Sequence, residues 1–310
     1  MHCSSRGHGM RRLLLVMLGL CWLASGNHAA FAGEFDHSHA AFSALLSRHV
    51  RWDEAGTATT VDYAALQRER ASLDGYTRAL SVVSPAEFAR WEVRQRRSFL
   101  INAYNAFTLQ HVLSRYPRLA SIRDLGNIVF DSPWKQRFFD LLGERRHLDD
   151  VEHGLLRGAA DFDEPRIHFA VNCASAGCPA LRPEAYRAER LEAQLEDQTR
   201  RFLRDRLRNR FESGASATAW VSPIFKWYGE DFAAGHRGAA TLREFLAAYA
   251  DALADSEADR KAIRRGGFAV RFTAYSWALN DARPPARQAH RTSTDARPPR
   301  SGAAAGSGGF

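Results

Sequence analysis

The chain has 310 residues and a formal net charge of +8, and 45% of its residues are hydrophobic, enough for a sizeable folded core. Residues 1–32 and 281–310 contribute +3 each, so the body of the chain between them carries only +2. Nucleic-acid-binding domains present a basic face within their folded part. The charge distribution therefore argues against nucleic acid as a partner.

The N-terminal residues have the pattern of a secretory signal peptide. Arg11 and Arg12 precede an apolar run, residues 13–24, and Ala30-Phe31-Ala32 supplies small residues for cleavage before Gly33. The run is too short to predict a stable membrane anchor. We therefore expect residues 1–32 to be removed and the mature protein to be periplasmic or secreted.

The C-terminal residues differ in composition from the rest of the chain. The sequence DARPP occurs twice after residue 280, among Ser, Gly, Ala and Arg residues. Such segments have too little apolar surface to support a fold. We predict one α+β domain over residues 33–280 and a disordered tail over residues 281–310.

The first half of this domain is predicted to be mainly helical. Ser84, Pro85 and Glu87 form the start signal of a helix that continues, with a break allowed, to Tyr116. Its second half, FLINAYNAFTLQHVL, is apolar nearly all round, which is typical of a buried helix. The other predicted elements are a helix over Ala40–Val50, an extended piece over Thr59–Tyr63 and a helix ending near Leu80.

The second half is predicted to mix strands and helices. A hairpin is expected over Phe138–Leu148, and Asp149 is expected to cap a short helix over Asp150–Arg157. Residues Arg166–Asn172 alternate between apolar and other side chains, which predicts a strand. The remaining predictions are a helix over Glu184–Arg208, strands over Ala219–Ser222 and Phe268–Tyr275, and a helix from Thr241 through Leu253. The expected fold is α+β, with a mixed or antiparallel sheet packed on the buried central helix Phe99–Val112.

Two cysteines, Cys173 and Cys178, remain after removal of the predicted signal peptide. A thiolate nucleophile needs a neighbouring base, and His153 and His168 are the candidates for Cys173. His168 is five residues away, about 16 Å in an extended chain at roughly 3.3 Å per residue. His153 has no such constraint and is slightly favoured.

Other polar residues complete the candidate catalytic site. Asn102 and Asn105 share one face of the buried helix and could orient a base or bind an oxyanion. Glu152 is also a candidate, although its place three residues after Asp149 fits a capping box. Buried asparagines can equally serve to tie loops to a helix.

Two other interpretations of the cysteines stay open. In an exported protein Cys173 and Cys178 could form a simple loop disulfide. Together with the two histidines they are also suitable zinc ligands, but the gap between the cysteines is wider than in common zinc motifs. No metal or other cofactor is therefore predicted.

Five motifs resemble, in this order, the family called domain of unknown function 547: FLINAYNAFTL, LDDVEHGLLR, RIHFAVNCASAGCPAL, SPIFKWYGEDF and YSWALN. The resemblance spans roughly Val61–Asn280. It implies a fold similar to papain-like or transglutaminase-like cysteine enzymes, in which the nucleophile begins a buried helix. This chain departs from that pattern, because its buried helix has Asn102 and Asn105 where a cysteine is expected.

These observations lead to two hypotheses about function. The first is an exported cysteine-dependent hydrolase or acyltransferase acting on peptide-like or cell-envelope amide bonds, with Cys173 as nucleophile. The alternative is a non-catalytic envelope binding module stabilised by a Cys173–Cys178 disulfide. The state of Cys173 distinguishes the two.

Overall fold

The computed structural model describes residues 34–126, 132–158, 164–214 and 216–283. The predicted signal peptide, and the predicted tail beyond Arg283, lie outside these residues. Within them the chain has the predicted α+β fold, with a large helical content and small sheets.

The N-terminal part of the fold is helical, as predicted. Ser84 begins a helix as its start signal indicates, because its Oγ accepts a hydrogen bond from the Glu87 N–H at 3.1 Å. The predicted break follows, and the next helix starts at Val93. The helices here are α1 (Ala40–His49), α2 (Tyr63–Arg68), α3 (Arg70–Ser81), α4 (Pro85–Ala89) and α5 (Val93–Leu113).

The strands of the described part of the chain form three small sheets. One antiparallel pair is β1 (Val50–Trp52) with β2 (Thr59–Val61), and the predicted hairpin is β3 (Phe139–Leu141) with β4 (Glu144–Arg146). In the third sheet β6 (Thr218–Val221) pairs antiparallel with β5 (Arg210–Glu212) and parallel with β7 (Ala269–Phe272).

Helix α5 is the buried central helix that the sequence predicts. From Ser98 to Leu113 all of its side chains except Gln110 are buried, and Phe107 stacks on Phe139 of β3 at 3.9 Å between ring centroids. The buried hydrophobic residues of α5 belong to one cluster. Ala219 and Val221 of β6 belong to a second cluster together with Phe169.

The predicted strand over Arg166–Asn172 is wrong. The structure has one helical turn there, α6 (Ile167–Ala170), followed by extended backbone at Val171. All four residues of α6 are buried, so the alternation of side-chain types does not correspond to one buried and one polar face. A short apolar run fits the periodicity of a helix as well as that of a strand, and here tertiary packing selects the helix.

The predicted capping box at Asp149 is also wrong. Asp149 makes no side-chain cap, and Asp150–Leu156 forms a π-helix in which Glu152 is buried. The remaining α-helices are α7 (Leu191–Arg204), α8 (Ile224–Trp227), α9 (Gly229–Phe232), α10 (Leu242–Ala248), α11 (Ala250–Leu253) and α12 (Glu257–Arg265). Helix α7 is shorter than predicted, and its buried residues include Leu191, Leu195, Thr199 and Phe202.

The segment predicted as a tail begins with docked residues. The Tyr116 hydroxyl donates to Asp281 Oδ2 at 2.9 Å, and the Ala282 N–H donates to the Val61 carbonyl at 2.9 Å. The boundary at residue 281 is therefore placed too early by the sequence. Among the described helices, none is long and apolar enough to cross a membrane.

Candidate functional site

Asn105 of helix α5 positions the chain that leads to the cysteines. Its Nδ2 donates to the Ala170 carbonyl at 3.0 Å, and its Oδ1 accepts from the Asn172 N–H at 2.8 Å. Asn172 in turn accepts from the Ala174 N–H at 2.9 Å and donates to the Pro179 carbonyl at 2.7 Å. These buried amides fix both ends of the cysteine loop, residues 173–178.

Asn102 has the same kind of role one turn earlier in α5. Its Nδ2 donates to the Tyr186 carbonyl at 2.7 Å, and its Oδ1 accepts from the Tyr186 N–H at 2.9 Å. Donor and acceptor atoms of both Asn102 and Asn105 are thus engaged with backbone. The geometry assigns them to loop attachment and leaves the predicted oxyanion role without support.

Cys173 and Cys178 form a disulfide, with their Cα atoms 6.2 Å apart. The Cys173 N–H donates to Cys178 Sγ at 3.0 Å. Ser175 Oγ lies 3.3 Å from Cys173 Sγ, and the Tyr275 hydroxyl lies 3.4 Å from Cys173 Sγ and 3.3 Å from Cys178 Sγ. Both sulfurs are therefore surrounded by hydrogen-bond donors.

The C-terminal segment covers the cysteine loop by backbone pairing. The Ala176 N–H donates to the Ala278 carbonyl at 2.7 Å, and the Gly177 N–H donates to the Ser276 carbonyl at 2.8 Å. This pairing places Tyr275 against the disulfide. A Cβ on residue 177 would lie 2.8 Å from the Ser276 carbonyl oxygen, so glycine is needed for the close approach.

A second group of residues surrounds His168, whose side chain is fully buried. The imidazole Nε2 lies 2.7 Å from Asp231 Oδ2, and Nδ1 lies 3.7 Å from Glu152 Oε1. The ring stacks on Tyr228 with 3.8 Å between centroids. Arg157 forms a bidentate pair with Asp231, at 2.6 and 2.8 Å. We call Glu152, Arg157, His168, Tyr228 and Asp231 the carboxylate–histidine cluster.

Both carboxylates of this cluster are held ionised. Burial opposes ionisation of Glu152, but the neighbouring His168, the charge of His153 and the Tyr228 hydroxyl outweigh it and lower the Glu152 pKa to about 2. Burial likewise opposes ionisation of Asp231, and hydrogen bonds from Arg157 and His168 lower its pKa well below the usual range. The cluster is therefore a charge-compensated network.

His153 lies at the edge of this cluster with 40% of its side chain exposed. Its Nδ1 is 3.2 Å from Arg157 Nη1, and its Nε2 is 3.9 Å from Asp149 Oδ1. Burial raises the pKa of Asp149, although the charge of His153 opposes the change. His153 is the more accessible of the two candidate histidines.

The structure brings only part of the predicted catalytic site together. Glu152 and His168 are neighbours, but neither His153 nor His168 forms a hydrogen bond with a sulfur of the disulfide. The two regions are connected through adjacent aromatic residues: Trp227 packs on Tyr275 at 4.9 Å, whereas Tyr228 stacks on His168. The described residues include no group of three or more His, Cys, Asp or Glu placed to hold a metal ion.

Sequence reasoning missed four residues of these two regions: Arg157, Tyr228, Asp231 and Tyr275. The motifs LDDVEHGLLR, SPIFKWYGEDF and YSWALN contain all of them. Their presence in the ordered motifs is a signal that could have marked them. Their contacts join residues far apart in the chain: Tyr228 and Asp231 lie 60 and 63 positions from His168. Arg157 lies 74 positions from Asp231, and Tyr275 lies 97 positions from Cys178.

The fold and the site define an α+β domain with a disulfide loop attached to a buried helix. Residues 88–203 match the model of a family described as "Protein of unknown function, DUF547". This segment contains α5, the π-helix and the cysteine loop, and the match confirms the resemblance over these residues. No curated protein and no solved structure matches the chain. The expected papain-like or transglutaminase-like fold is not borne out.

Proposed function

We propose that this chain is a non-catalytic binding module of the cell envelope, locked by the Cys173–Cys178 disulfide. One observation carries the proposal: the sulfur of the candidate nucleophile is bonded to Cys178. A sulfur in a disulfide has no thiolate to attack an amide carbon. The proposal therefore takes Cys173 as a disulfide partner and not as a nucleophile.

The surroundings of the disulfide support the same proposal. Asn105 and Asn172 fix both ends of the cysteine loop, and the C-terminal segment pairs with its backbone. The disulfide closes a loop that is already held by buried hydrogen bonds, which is typical of a structural element. A rigid loop of this kind suits recognition, because binding then costs little ordering entropy.

The state of the two histidines also favours binding over catalysis. A general base must reach the proton that it abstracts. His168 has no exposed side-chain area, and its Nε2 is engaged by Asp231. His153 is exposed, but its ring nitrogens face Arg157 and Asp149. Neither histidine is placed to activate Cys173.

The location in the envelope rests on the N-terminal pattern described above. A periplasmic or secreted protein meets an oxidising environment, in which a disulfide of this kind persists. The proposed ligand belongs to that compartment and is peptide-like or another envelope component.

The second candidate function is the cysteine-dependent hydrolase or acyltransferase. It is favoured by one observation: Cys173 is only half buried, and the hydroxyls of Ser175 and Tyr275 could stabilise its thiolate after reduction. In this hypothesis Cys173 is free in the working protein.

A peptide map distinguishes the two functions. Trypsin is expected to release residues 167–187 as one peptide, which contains Cys173 and Cys178 and no other cysteine. Protein isolated from its own compartment without reductant, then denatured and treated with iodoacetamide, should yield this peptide unalkylated and lighter by two hydrogens than its reduced form. Alkylation of Cys173 before any reduction would contradict the binding-module proposal and favour the hydrolase.

A further inference from the structure

The two sulfurs of the disulfide differ in accessibility. Cys178 is buried, with 5% of its surface exposed, whereas Cys173 is half buried. Thiol–disulfide exchange requires an attacking thiolate to reach one sulfur while the other leaves. Because Cys173 is the more exposed residue of the pair, we expect a second molecule to reach its sulfur first.

The leaving sulfur has donors already aimed at it. The Cys173 N–H lies 3.0 Å from Cys178 Sγ, and the Tyr275 hydroxyl lies 3.3 Å from it. N–H and O–H donors stabilise a thiolate more than they stabilise a disulfide sulfur, because the charge is concentrated on the thiolate. Cys178 therefore has the surroundings of a good leaving group.

Tyr275 keeps the proton that this role requires. Burial raises the pKa of Tyr275 to about 12, although its hydrogen bond with Ser175 opposes the change. At neutral pH the hydroxyl is a donor. Its 3.0 Å contact with Ser175 Oγ holds it between the two sulfurs.

We propose that the Cys173–Cys178 disulfide is redox-active and exchanges with a dithiol partner, with Cys173 as the sulfur that is attacked and Cys178 as the leaving thiolate. This inference shares the disulfide with the proposed function but goes beyond it. The peptide map can show an oxidised pair whether or not the pair exchanges, so the two proposals can fail separately.

The reaction balances with a dithiol as reductant. One partner thiolate attacks Cys173 Sγ, a new sulfur–sulfur bond forms, and the Cys173–Cys178 bond breaks with its electron pair going to Cys178. The Cys178 thiolate accepts hydrogen bonds from the Cys173 N–H and from Tyr275. The second partner thiol, as thiolate, then attacks the partner sulfur of the mixed disulfide and releases Cys173. The partner is oxidised to a disulfide and this chain is reduced to a dithiol after it takes up two protons.

The first test measures exchange in the folded protein. Dithiothreitol, used as the dithiol probe, should reduce the wild-type disulfide while the circular dichroism spectrum stays native. With glutathione disulfide as a second probe, the Cys178→Ser variant should form a mixed disulfide at Cys173 at least about tenfold faster than Cys173→Ser forms one at Cys178. Reduction that requires unfolding, or equal rates at the two sulfurs, would overturn the proposal.

The second test addresses the donor. Tyr275→Phe removes the hydroxyl and should slow reduction by dithiothreitol several-fold, whereas Tyr76→Phe is the matched control. Tyr76 is buried, and its hydroxyl contacts His39 and not the disulfide. If Tyr275→Phe does not fold, Ser175→Ala tests the same network. If the folded variant is reduced by dithiothreitol as fast as wild type, the result contradicts the assigned role of Tyr275.

Discussion

His168 lies between Glu152 and Asp231, and Tyr228 covers one face of its ring. Removing water from three ionisable groups is costly unless their charges compensate one another. Here His168 lies between the two carboxylates, and the Arg157 guanidinium supplies a cation to Asp231. The cluster therefore contributes to stability only as long as its carboxylates are ionised.

The Glu152 carboxylate should make stability depend on acid pH. Its folded-state pKa of about 2 lies below the ordinary value of 4.5. Its contribution is therefore fully present above the ordinary value and is lost as the pH falls toward 2. Between about pH 5 and about pH 3, wild type should lose about 2 kcal/mol more unfolding free energy than Glu152→Gln. Urea unfolding at each pH measures this difference.

A control separates this linkage from general acid destabilisation. Asp140 in the hairpin β3–β4 has 63% of its side chain exposed, so Asp140→Asn should keep the wild-type pH dependence. A Glu152→Gln variant whose stability falls with acid as steeply as that of wild type would show that Glu152 does not carry the effect.

The sequence identified some residues of the carboxylate–histidine cluster and missed others. Glu152 and His168 were candidates because their residue types suit acid–base chemistry. Asp231 was not, because an aspartate in a helical segment gives no indication of a histidine 63 positions away. The role predicted for the identified pair also changes, since burial of His168 places it in the network and not on an accessible surface.

At the scale of elements, the helices with local start signals were the most predictable. Ser84 and Thr241 both cap helices where the sequence places them, because a cap depends on neighbours three residues away. Helix α6 was mistaken for a strand because a run of seven residues fits the period of a strand as well as that of a helix. The π-helix Asp150–Leu156 had no distinguishing local signal.

The contact between the cysteine loop and the C-terminal segment should depend on Gly177. A Cβ there would meet the Ser276 backbone at 2.8 and 2.9 Å, and a backbone neighbour cannot move away without breaking its pairing. Gly177→Ala should therefore destabilise the fold by about 1–3 kcal/mol, as overpacking does. It should also displace Tyr275 from the sulfurs. Thermal unfolding, with reduction by dithiothreitol as a second readout, tests both effects.

The matched control is Gly154→Ala in the π-helix. A Cβ at residue 154 has no neighbour within 4 Å, so this variant should be as stable as wild type or slightly more stable. If Gly177→Ala and Gly154→Ala are equally stable, the close approach to the Ser276 backbone is not the reason for glycine in the cysteine loop.

At the scale of the whole molecule, the C-terminal segment joins distant parts of the fold. Tyr63 donates to Asn280 Oδ1 at 2.7 Å, and the Leu279 N–H donates to the Ala120 carbonyl at 2.8 Å. The same segment pairs with the cysteine loop. The sequence marked YSWALN as one of five motifs, but the joining role depends on contacts with residues 97 or more positions away and was not predictable from local pattern.

The residues after this segment provide the last prediction. Composition alone predicts that removal of residues 281–310 leaves stability unchanged. The structure contradicts this expectation for residues 281–283, because Asp281 accepts from the Tyr116 hydroxyl and the Ala282 N–H donates to Val61 in β2. A chain ending at Asn280 should therefore be less stable than one ending at Arg283. Two lost hydrogen bonds at about 0.5–1.5 kcal/mol each predict a loss of about 1–3 kcal/mol.

Calorimetry on the two shortened chains measures this loss directly, because both lack residues 284–310 and differ only in the docked residues. For a domain of this size, about 1 kcal/mol corresponds to a shift of roughly 2–4 °C in the melting temperature. A third chain, ending at Arg283 and carrying Tyr116→Phe, lacks only the hydroxyl contact with Asp281. Its melting temperature should lie between those of the other two chains. Identical melting temperatures for the chains ending at Asn280 and Arg283 would show that the contacts of Asp281 and Ala282 add nothing to the stability of the fold.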